Sequence, residues 1–176
     1  MLRLIASPPN PIAHLVEIRR LPEDRWEDYR SLRLESLKSD PSAFSSSFEE
    51  EETLAEDEWV RRIQNVLFAI SDDEPIGTIV YVIGGRTKTK HIAEIHGVYV
   101  RANHRGEGVG TSMLENALLQ IRKDGRVVKV KLAVNPAQRS AVKLYKKAGF
   151  VVTGRARKEL KVGRKFFDML YMEKLF

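Results

Sequence analysis

Residues 94–122, EIHGVYVRANHRGEGVGTSMLENALLQIR, contain the pattern on which the interpretation of the whole chain depends. The segment IHGVYV near its start is rich in residues that favour β-strands. Its last third repeats apolar residues at helical spacing, at Met113, Leu114, Ala117, Leu118 and Ile121. Three glycines lie between these two parts, Gly106, Gly108 and Gly110. The pattern predicts a strand, a glycine-rich loop and a helix, in that order.

The glycine-rich loop predicts a binding site for a diphosphate. Glycine lets backbone amides turn toward a ligand because no Cβ stands in the way. The start of a helix adds free N–H groups and the positive end of the helix dipole. The loop lacks the Lys-Ser/Thr pair of nucleoside triphosphatases, and its glycine spacing does not match the GxGxxG dinucleotide signature. For the loop alone, a glycine-rich connection without a ligand is the alternative.

The composition is typical of one globular domain. The chain has 176 residues, of which 43% are hydrophobic and 31% are charged. We expect residues 1–14, which contain three prolines, to be a flexible leader, and residues 15–176 to form a single domain. The chain has no cysteine and its four histidines are scattered, so we expect no metal site. No segment predicts a signal peptide or a membrane span, and we expect a cytoplasmic protein without a membrane partner.

The net charge of +6 is unevenly distributed along the chain. Many basic residues lie in residues 122–131 and 139–165, where they would attract an anionic ligand. We expect no nucleic-acid partner, because basic and aromatic residues do not alternate as a nucleic-acid surface requires. The acidic residues between positions 49 and 58 are compatible with an exposed helix start or with a field that attracts a cationic amine.

The order of the predicted elements indicates a mixed α/β fold. Strands are expected near residues 15–19, 66–70, 77–83, 91–100 and 127–134, and helices near 22–38, 55–66 and 109–123. Asn135 and Pro136 are expected to open a further helix, with Asn135 as its N-cap. Residues 150–154 and 165–176 are expected to form a closing hairpin around a turn region at residues 155–164. Strands 91–100 and 127–134 flank a helix and should be parallel.

Two motifs resemble those of the GNAT N-acetyltransferase superfamily. Arg105, Gly108 and Gly110 match the coenzyme A loop of that family, Arg/Gln-x-x-Gly-x-Gly/Ala. Residues 134–150, VNPAQRSAVKLYKKAGF, resemble its second signature and follow the first at the usual interval. Residues 32–50 also resemble the paired N-terminal helices of a bacterial-type branch. The chain is therefore identified as a member, although Ala102 and His104 replace a proline and an aromatic residue that are common there.

The resemblance implies a three-layer α/β fold with acetyl-CoA bound in its sheet. The sheet would be mixed and mostly antiparallel, with six or seven strands and about four helices, and would splay between strands 91–100 and 127–134. Residues that would contact the pantetheine arm and the diphosphate are Val98, Tyr99, Val100, Arg105, Gly106, Glu107, Gly108, Val109, Gly110 and Thr111. Residues that would contact the cofactor from the other side are Asn135, Ala141 and Tyr145.

The resemblance also implies transfer of an acetyl group from acetyl-CoA to a primary amine by direct attack in a ternary complex. Tyr145 stands at the position of the general acid, and Glu94 stands where some members place a general base. His96 is the competing base because imidazole titrates near neutral pH, and water is a third alternative. A backbone amide near Val98 would meet the oxyanion. A small molecule or a protein amino group could be the acceptor, and a homodimer is compatible with the sequence. A non-catalytic acyl-CoA-binding module of the same fold is the alternative function.

Overall fold

Seven strands form one mostly antiparallel sheet in the computed structural model, which describes residues 16–176. The strands are β1 (Glu17–Arg19), β2 (Val66–Ser71), β3 (Glu74–Ile83), β4 (Ile92–Val100), β5 (Lys129–Val134), β6 (Val151–Val162) and β7 (Lys165–Leu175). Their order is β1-β2-β3-β4-β5-β7-β6, and β4 and β5 are the parallel pair. The predicted mixed, mostly antiparallel sheet is confirmed.

Helices cover both faces of the sheet and give the predicted three layers. They are α1 (Trp26–Ser39), the single turn α2 (Phe48–Glu51), α3 (Glu56–Ile63), α4 (Val109–Lys123) and α5 (Arg139–Lys147). Strand β2 shows why helices pack on both faces of the sheet, since successive strand side chains point to opposite faces. Phe68 packs in one hydrophobic cluster with Tyr29 and Trp59 of α1 and α3. Leu67 packs in the other cluster with Met113 of α4.

The sheet opens between β4 and β5, as the family resemblance implies for strands 91–100 and 127–134. The two strands are in register at three residue pairs, which end at Glu94 and Lys131. Beyond that pair β4 continues for six residues and β5 for three without pairing to each other. Edge backbone groups of β4 therefore face a gap in the middle of the sheet.

A β-bulge in β4 lies at this gap. His96 is opposite Val80 and Tyr99 is opposite Thr78, so β4 has one residue more than β3 between these pairs. Gly97 has a φ of +60° within the bulge, a conformation that glycine adopts without steric cost. The hydroxyl of Thr78 donates a hydrogen bond of 3.0 Å to the carbonyl oxygen of Gly97. The bulge changes the direction of the backbone just after His96.

Three details differ from the sequence-based expectations, and one expectation is not tested. There are five α-helices rather than about four among residues 16–176, because one turn forms at Phe48–Glu51 with a capping box from Ser47 and Glu50. Helix α5 begins at Arg139, so Asn135 is not its N-cap. The expected turn region at residues 155–164 is mostly strand, and β6 reaches Val162. The predicted leader, residues 1–14, lies outside the described residues.

Among residues 16–176, no helix has both the length and the hydropathy that crossing a membrane requires.

Candidate functional site

A cleft of about 1190 Å³ runs along the gap between β4 and β5. The predicted catalytic residues Tyr145, Glu94 and His96 all line this cleft. The predicted cofactor residues also line it, with Glu107 and Asn135 as the exceptions: Val98, Tyr99, Val100, Arg105, Gly106, Gly108, Val109, Gly110, Thr111 and Ala141. The fold therefore brings the two sequence motifs to one cavity.

The glycine-rich loop presents backbone amides to the cleft. Gly106 and Gly108 have φ values of +87° and +86°, and a Cβ built on either would meet no protein atom within 4 Å. Gly108 is the N-cap of α4 and supplies no side-chain cap, which leaves the first amides of the helix open. Within residues 16–176, none of the amides at positions 106–111 donates a hydrogen bond to a protein acceptor outside the helix. This open cradle fits an anionic ligand.

Arg105 holds the base of the loop rather than pointing freely at a ligand. Its guanidinium donates to the carbonyl oxygen of Val100 at 2.8 Å and to the carboxylate of Asp40 at 2.7 Å. The same group lies 5.5 Å from the ring centroid of Tyr99. The backbone amide of Arg105 donates to Ala102 at 3.3 Å, so the row of open amides starts at Gly106. These contacts give Arg105 a positioning role in the loop.

Tyr145 combines a buried ring with an unpaired hydroxyl. Helix α5 places the ring against Phe150, with a centroid distance of 6.0 Å, and only 5% of the residue is exposed. Among residues 16–176 no partner accepts from or donates to its hydroxyl, and yet the residue lines the cleft. Burial raises the pKa of the phenol above its usual value of 10.0, so the hydroxyl keeps its proton at neutral pH. It is available as a proton donor.

Glu94 and His96 lie on the same face of β4, as the strand alternation predicts, and the bulge begins only after His96. The carboxylate of Glu94 is half exposed and lies 2.9 Å from the ammonium group of Lys131. His96 is exposed to the cleft, but partial desolvation by the cleft walls lowers its pKa below 6.5, the charges of Arg33 and Arg62 lower it further, and Glu94 opposes them. The imidazole is therefore neutral at pH 7 and can accept a proton.

Asn135 and Glu107 do not line the cleft. Asn135 is 2% exposed, and its amide group donates to the carbonyl of Ser42 while its oxygen accepts from the amide of Ala137, both at 2.9 Å. It ties the loop before α5 to the segment after α1. The carboxylate of Glu107 lies 3.3 Å from the ring nitrogen of His104, which itself lines the cleft. The predicted cofactor contacts of Asn135 and Glu107 stay predictions.

The wall of the cleft formed by α1, α2 and α3 contains charged residues that the sequence analysis did not single out. Arg33 donates two hydrogen bonds, of 2.9 and 2.8 Å, to the carboxylate of Glu51. Arg62 lies 3.4 Å from the same carboxylate. Burial raises the pKa of Glu51, but its hydrogen bonds with Arg33 and Ser46 and the nearby arginine charges outweigh burial, and the pKa is lowered. The sequence analysis treated Glu51 only as part of the acidic residues between positions 49 and 58 and gave no role to Arg33 or Arg62.

The β6–β7 hairpin supplies the remaining wall. Glu159, Leu160, Met169 and Tyr171 line the cleft, and the hydroxyl of Tyr171 donates to the carboxylate of Glu159 at 3.1 Å. The sequence analysis assigned Glu159 and Leu160 to a turn. The long hairpin instead carries them back to the cleft.

Comparison with known proteins agrees with this geometry. A family model described as the acetyltransferase (GNAT) family matches residues 19–150. An uncharacterized N-acetyltransferase of Methanocaldococcus jannaschii is 36% identical over 61 residues, which cover 35% of this chain and 26% of that protein. The chain thus matches about a quarter of that relative's length. The L-amino acid N-acetyltransferase AaaT of Escherichia coli K12 is 25% identical over 109 residues, or 62% of this chain and 67% of that protein.

Solved structures share the fold. The GNAT-family acetyltransferase of Streptococcus pneumoniae has a TM-score of 0.81 and 23% identity, covering 92% of this chain and 99% of that chain. The protein yncA of Salmonella typhimurium, solved with its cofactor acetyl-CoA, has a TM-score of 0.79 and 15% identity, covering 92% of this chain and 94% of that chain. At these identities the likeness concerns the fold alone.

Proposed function

The chain belongs to the acetyltransferase (GNAT) family, and from that premise we propose that it transfers the acetyl group of acetyl-CoA to a primary amine within a ternary complex. It is an acyltransferase by family membership. The observation that carries the proposal is that two sets of hydrogen-bond donors without a protein partner lie on one cleft. The open amides of residues 106–111 lie at the start of α4, and the unpaired hydroxyl of Tyr145 lies on α5.

Acetyl-CoA supplies the activated acetyl group as a thioester, and this chain supplies its binding site. The amides from Gly106 to Thr111 hold the diphosphate at the positive end of the α4 dipole. Val98 and Val100 lie on the unpaired edge of β4 and contact the pantetheine arm. The carbonyl of Val100 already accepts from Arg105, so its amide is the group left for this contact.

The reaction is a balanced acyl transfer. The lone pair of the neutral amine forms a bond to the thioester carbonyl carbon, and the carbon–sulfur bond breaks. The products are an N-acetyl amide, coenzyme A thiol and one proton, which is the proton lost by the acceptor's ammonium form. Tyr145 gives its hydroxyl proton to the departing sulfur, and the proton that the attacking nitrogen loses as the amide forms restores the phenol. The bulge at Gly97 directs a backbone amide near Val98 toward the developing oxyanion.

His96 is the proposed base. Its lowered pKa keeps the imidazole neutral at pH 7, and the side chain lines the cleft next to the bulge. Glu94 is a weaker candidate because its carboxylate is paired with Lys131 at 2.9 Å. In this proposal Glu94 helps to hold the charge that develops on His96 as the amine loses its proton.

Thiol release tests the proposed function. The protein is mixed with acetyl-CoA and a panel of amines, free thiol is followed with time, and the products are identified by mass spectrometry. Thiol release that depends on an amine, together with an N-acetyl product, supports the proposal. Binding of acetyl-CoA without thiol release from any amine would instead favour a non-catalytic acyl-CoA-binding module. The single domain of residues 15–176, the cytoplasmic location and a homodimer remain predictions.

A further inference from the structure

We propose that the acceptor is a small amine that also carries a carboxylate, as a free amino acid does, and that Arg33 and Arg62 bind this carboxylate. The inference deepens the proposed function and rests on it. Arg33 on α1 and Arg62 on α3 both line the cleft, although they lie 29 residues apart in sequence.

The arginines lie on the reactive side of the cleft and not on its phosphate side. Strand β4 runs from Glu94 and His96 toward Val100, and the glycine-rich loop follows. Val100 is the fourth residue after His96 along the strand, a distance on the order of 13 Å. Arg33, Arg62 and His96 line the same cleft, and the charges of the two arginines lower the pKa of the imidazole.

The part of the cleft wall that contains Arg33 and Arg62, here called the arginine wall, carries an excess of positive charge. Two guanidinium groups of this wall, those of Arg33 and Arg62, line the cleft together with one carboxylate, that of Glu51. Glu58, which also pairs with Arg62, does not line the cleft, so positive charge is in excess among the members of this group that do. The acidic run near residue 50 therefore does not make the cleft attractive to a cation here, because Glu51 is the member that lines the cleft and two arginines surround it.

The arginine wall also contains guanidinium N–H groups that make no hydrogen bond and are held in fixed positions. Arg33 uses Nε and Nη2 on Glu51, and its guanidinium lies 4.7 Å from the ring centroid of Phe44. Arg62 uses Nε on Glu58, and its Nη1 is the atom near Glu51. Within residues 16–176, Nη1 of Arg33 and Nη2 of Arg62 have no hydrogen-bond partner. Each can donate to one oxygen of a carboxylate, and a charge-assisted bond of this kind is strong.

The cleft wall formed by β4 and the β6–β7 hairpin suits the amino group. Glu94 and His96 on β4 and Glu159 on β6 line it. An amino acid bound with its carboxylate at the arginines presents its amine toward His96. The arginines thus match the carboxylate of the ligand, and Glu94, His96 and Glu159 match its amino group.

The test uses acceptors that differ only in the carboxylate. Each L-amino acid is compared with its carboxamide, its decarboxylated amine and a tripeptide that begins with the same residue, by thiol release at saturating acetyl-CoA. We expect kcat/KM for at least one free amino acid to exceed that for its carboxamide by about tenfold or more, since a site built for hydrogen bonding rejects an analogue that lacks the group.

Three variants assign the effect. Arg62→Gln should bring the ratio of the acid to its carboxamide close to one, mainly through KM. The double variant Arg33→Gln with Glu51→Gln should do the same without leaving a buried unpaired carboxylate. Arg61→Gln is the matched control, since Arg61 pairs with Glu58 on the outer surface with 74% of its side chain exposed and does not line the cleft. Melting temperature and acetyl-CoA affinity verify that each variant is folded.

The outcomes distinguish a failure of the carboxylate assignment from a failure of the proposed acetyl transfer. Thiol release with carboxamides, simple amines or tripeptides at rates equal to or above those for the free acids would leave acetyl transfer in place and overturn the carboxylate assignment. Equal losses in the Arg61 and Arg62 variants would overturn it as well. Thiol release from no acceptor at all would overturn the proposed function and this inference together.

Discussion

Glu94 and Lys131 face each other at the last residue pair that joins β4 to β5, and their charged groups are 2.9 Å apart. The ion pair lies where the sheet divides, with paired strands on one side and the cleft on the other. A half-exposed pair contributes little to stability, about 1 kcal/mol or less. Its consequence is local, because it engages the carboxylate that would otherwise compete with His96 for the proton of the acceptor.

The hydroxyl of Tyr145 should matter for turnover and not for cofactor binding. Tyr145→Phe keeps the buried ring but removes the proposed proton donor. We expect kcat to fall on the order of 10²-fold, as is usual when a general acid is lost. The dissociation constant for acetyl-CoA, measured by calorimetry, should change by less than about twofold, because the ring remains to pack.

A second tyrosine provides the control for this experiment. The hydroxyl of Tyr81 donates to Gln120 at 3.0 Å and accepts from Arg20 at 2.8 Å, and Tyr81 does not line the cleft. Tyr81→Phe should lower the free energy of unfolding by about 1 kcal/mol and leave kcat unchanged. Unchanged turnover in Tyr145→Phe would remove the acid role from Tyr145.

The pH dependence of kcat should identify the base. The pKa of His96 is lowered from 6.5, so the imidazole is neutral at pH 7 and becomes protonated only below pH 6.5. We therefore expect kcat to fall as the pH drops through a value below 6.5. Glu94→Gln should shift this fall to still lower pH, since the charge of Glu94 raises the pKa of His96.

His96→Gln should lower kcat on the order of 10²-fold and abolish the acidic limb of the profile. Persistence of that limb in His96→Gln, with its loss in Glu94→Gln, would make Glu94 the base instead.

Much of the fold follows from local patterns in the sequence. The glycine-rich loop, helix α4 and strands β2 to β5 are predictable because burial on regular faces leaves apolar residues at spacings of 3.6 or two. Alternation along β4 likewise predicts that Glu94 and His96 share a face. The two family motifs then predict which residues meet at the cleft, because motif positions imply tertiary neighbours that periodicity does not.

The missed features depend on contacts that are distant in sequence. Strand β6 is largely exposed, so residues 155–162 carry no apolar alternation, and backbone pairing with β7 makes them a strand. Asn135 and Pro136 match a helix start, but Asn135 bonds to Ser42 and Ala137 instead of capping α5. The arginine wall is invisible in sequence because Arg33, Glu51 and Arg62 come from three different helices.

Stability should depend on pH through Glu51. The surrounding arginines lower the pKa of Glu51 below 4.5 in the folded state, so its contribution is fully present above pH 4.5 and is lost as the pH falls through the lowered pKa. We expect Glu51→Gln to lose on the order of 3 kcal/mol at pH 7, because Arg33 is left without its partner. Urea unfolding between pH 7 and pH 3 should show that the difference in the free energy of unfolding between wild type and Glu51→Gln becomes smaller as the pH falls. A difference that stays constant over this range would exclude Glu51 as its source.

The bulge in β4 should require glycine at position 97. Gly97 has a φ of +60°, and a Cβ there would lie 3.0 Å from Cγ2 of Val80. Gly97→Ala should lower the free energy of unfolding by about 1–2 kcal/mol and reduce kcat, because the amide near Val98 is displaced. Gly154→Ala is the control, since Gly154 lies at a register shift of β6 where a Cβ would meet no atom within 4 Å. Equal stability and turnover of the two variants would show that the bulge tolerates a side chain.

The central claim is tested most directly by comparing how alanine substitutions of the glycines at the two ends of α4 change the affinity for acetyl-CoA. Gly108 precedes the helix and Gly125 follows it, both have positive φ, and a Cβ on either meets no protein atom within 4 Å. Gly108→Ala and Gly125→Ala therefore impose similar backbone strain, about 1 kcal/mol, and only the first adds an atom in the cleft. By calorimetry we predict that wild type and Gly125→Ala bind acetyl-CoA alike and that Gly108→Ala binds at least about tenfold more weakly. No binding to wild type at millimolar acetyl-CoA, or equal affinities for the two variants, would contradict the account.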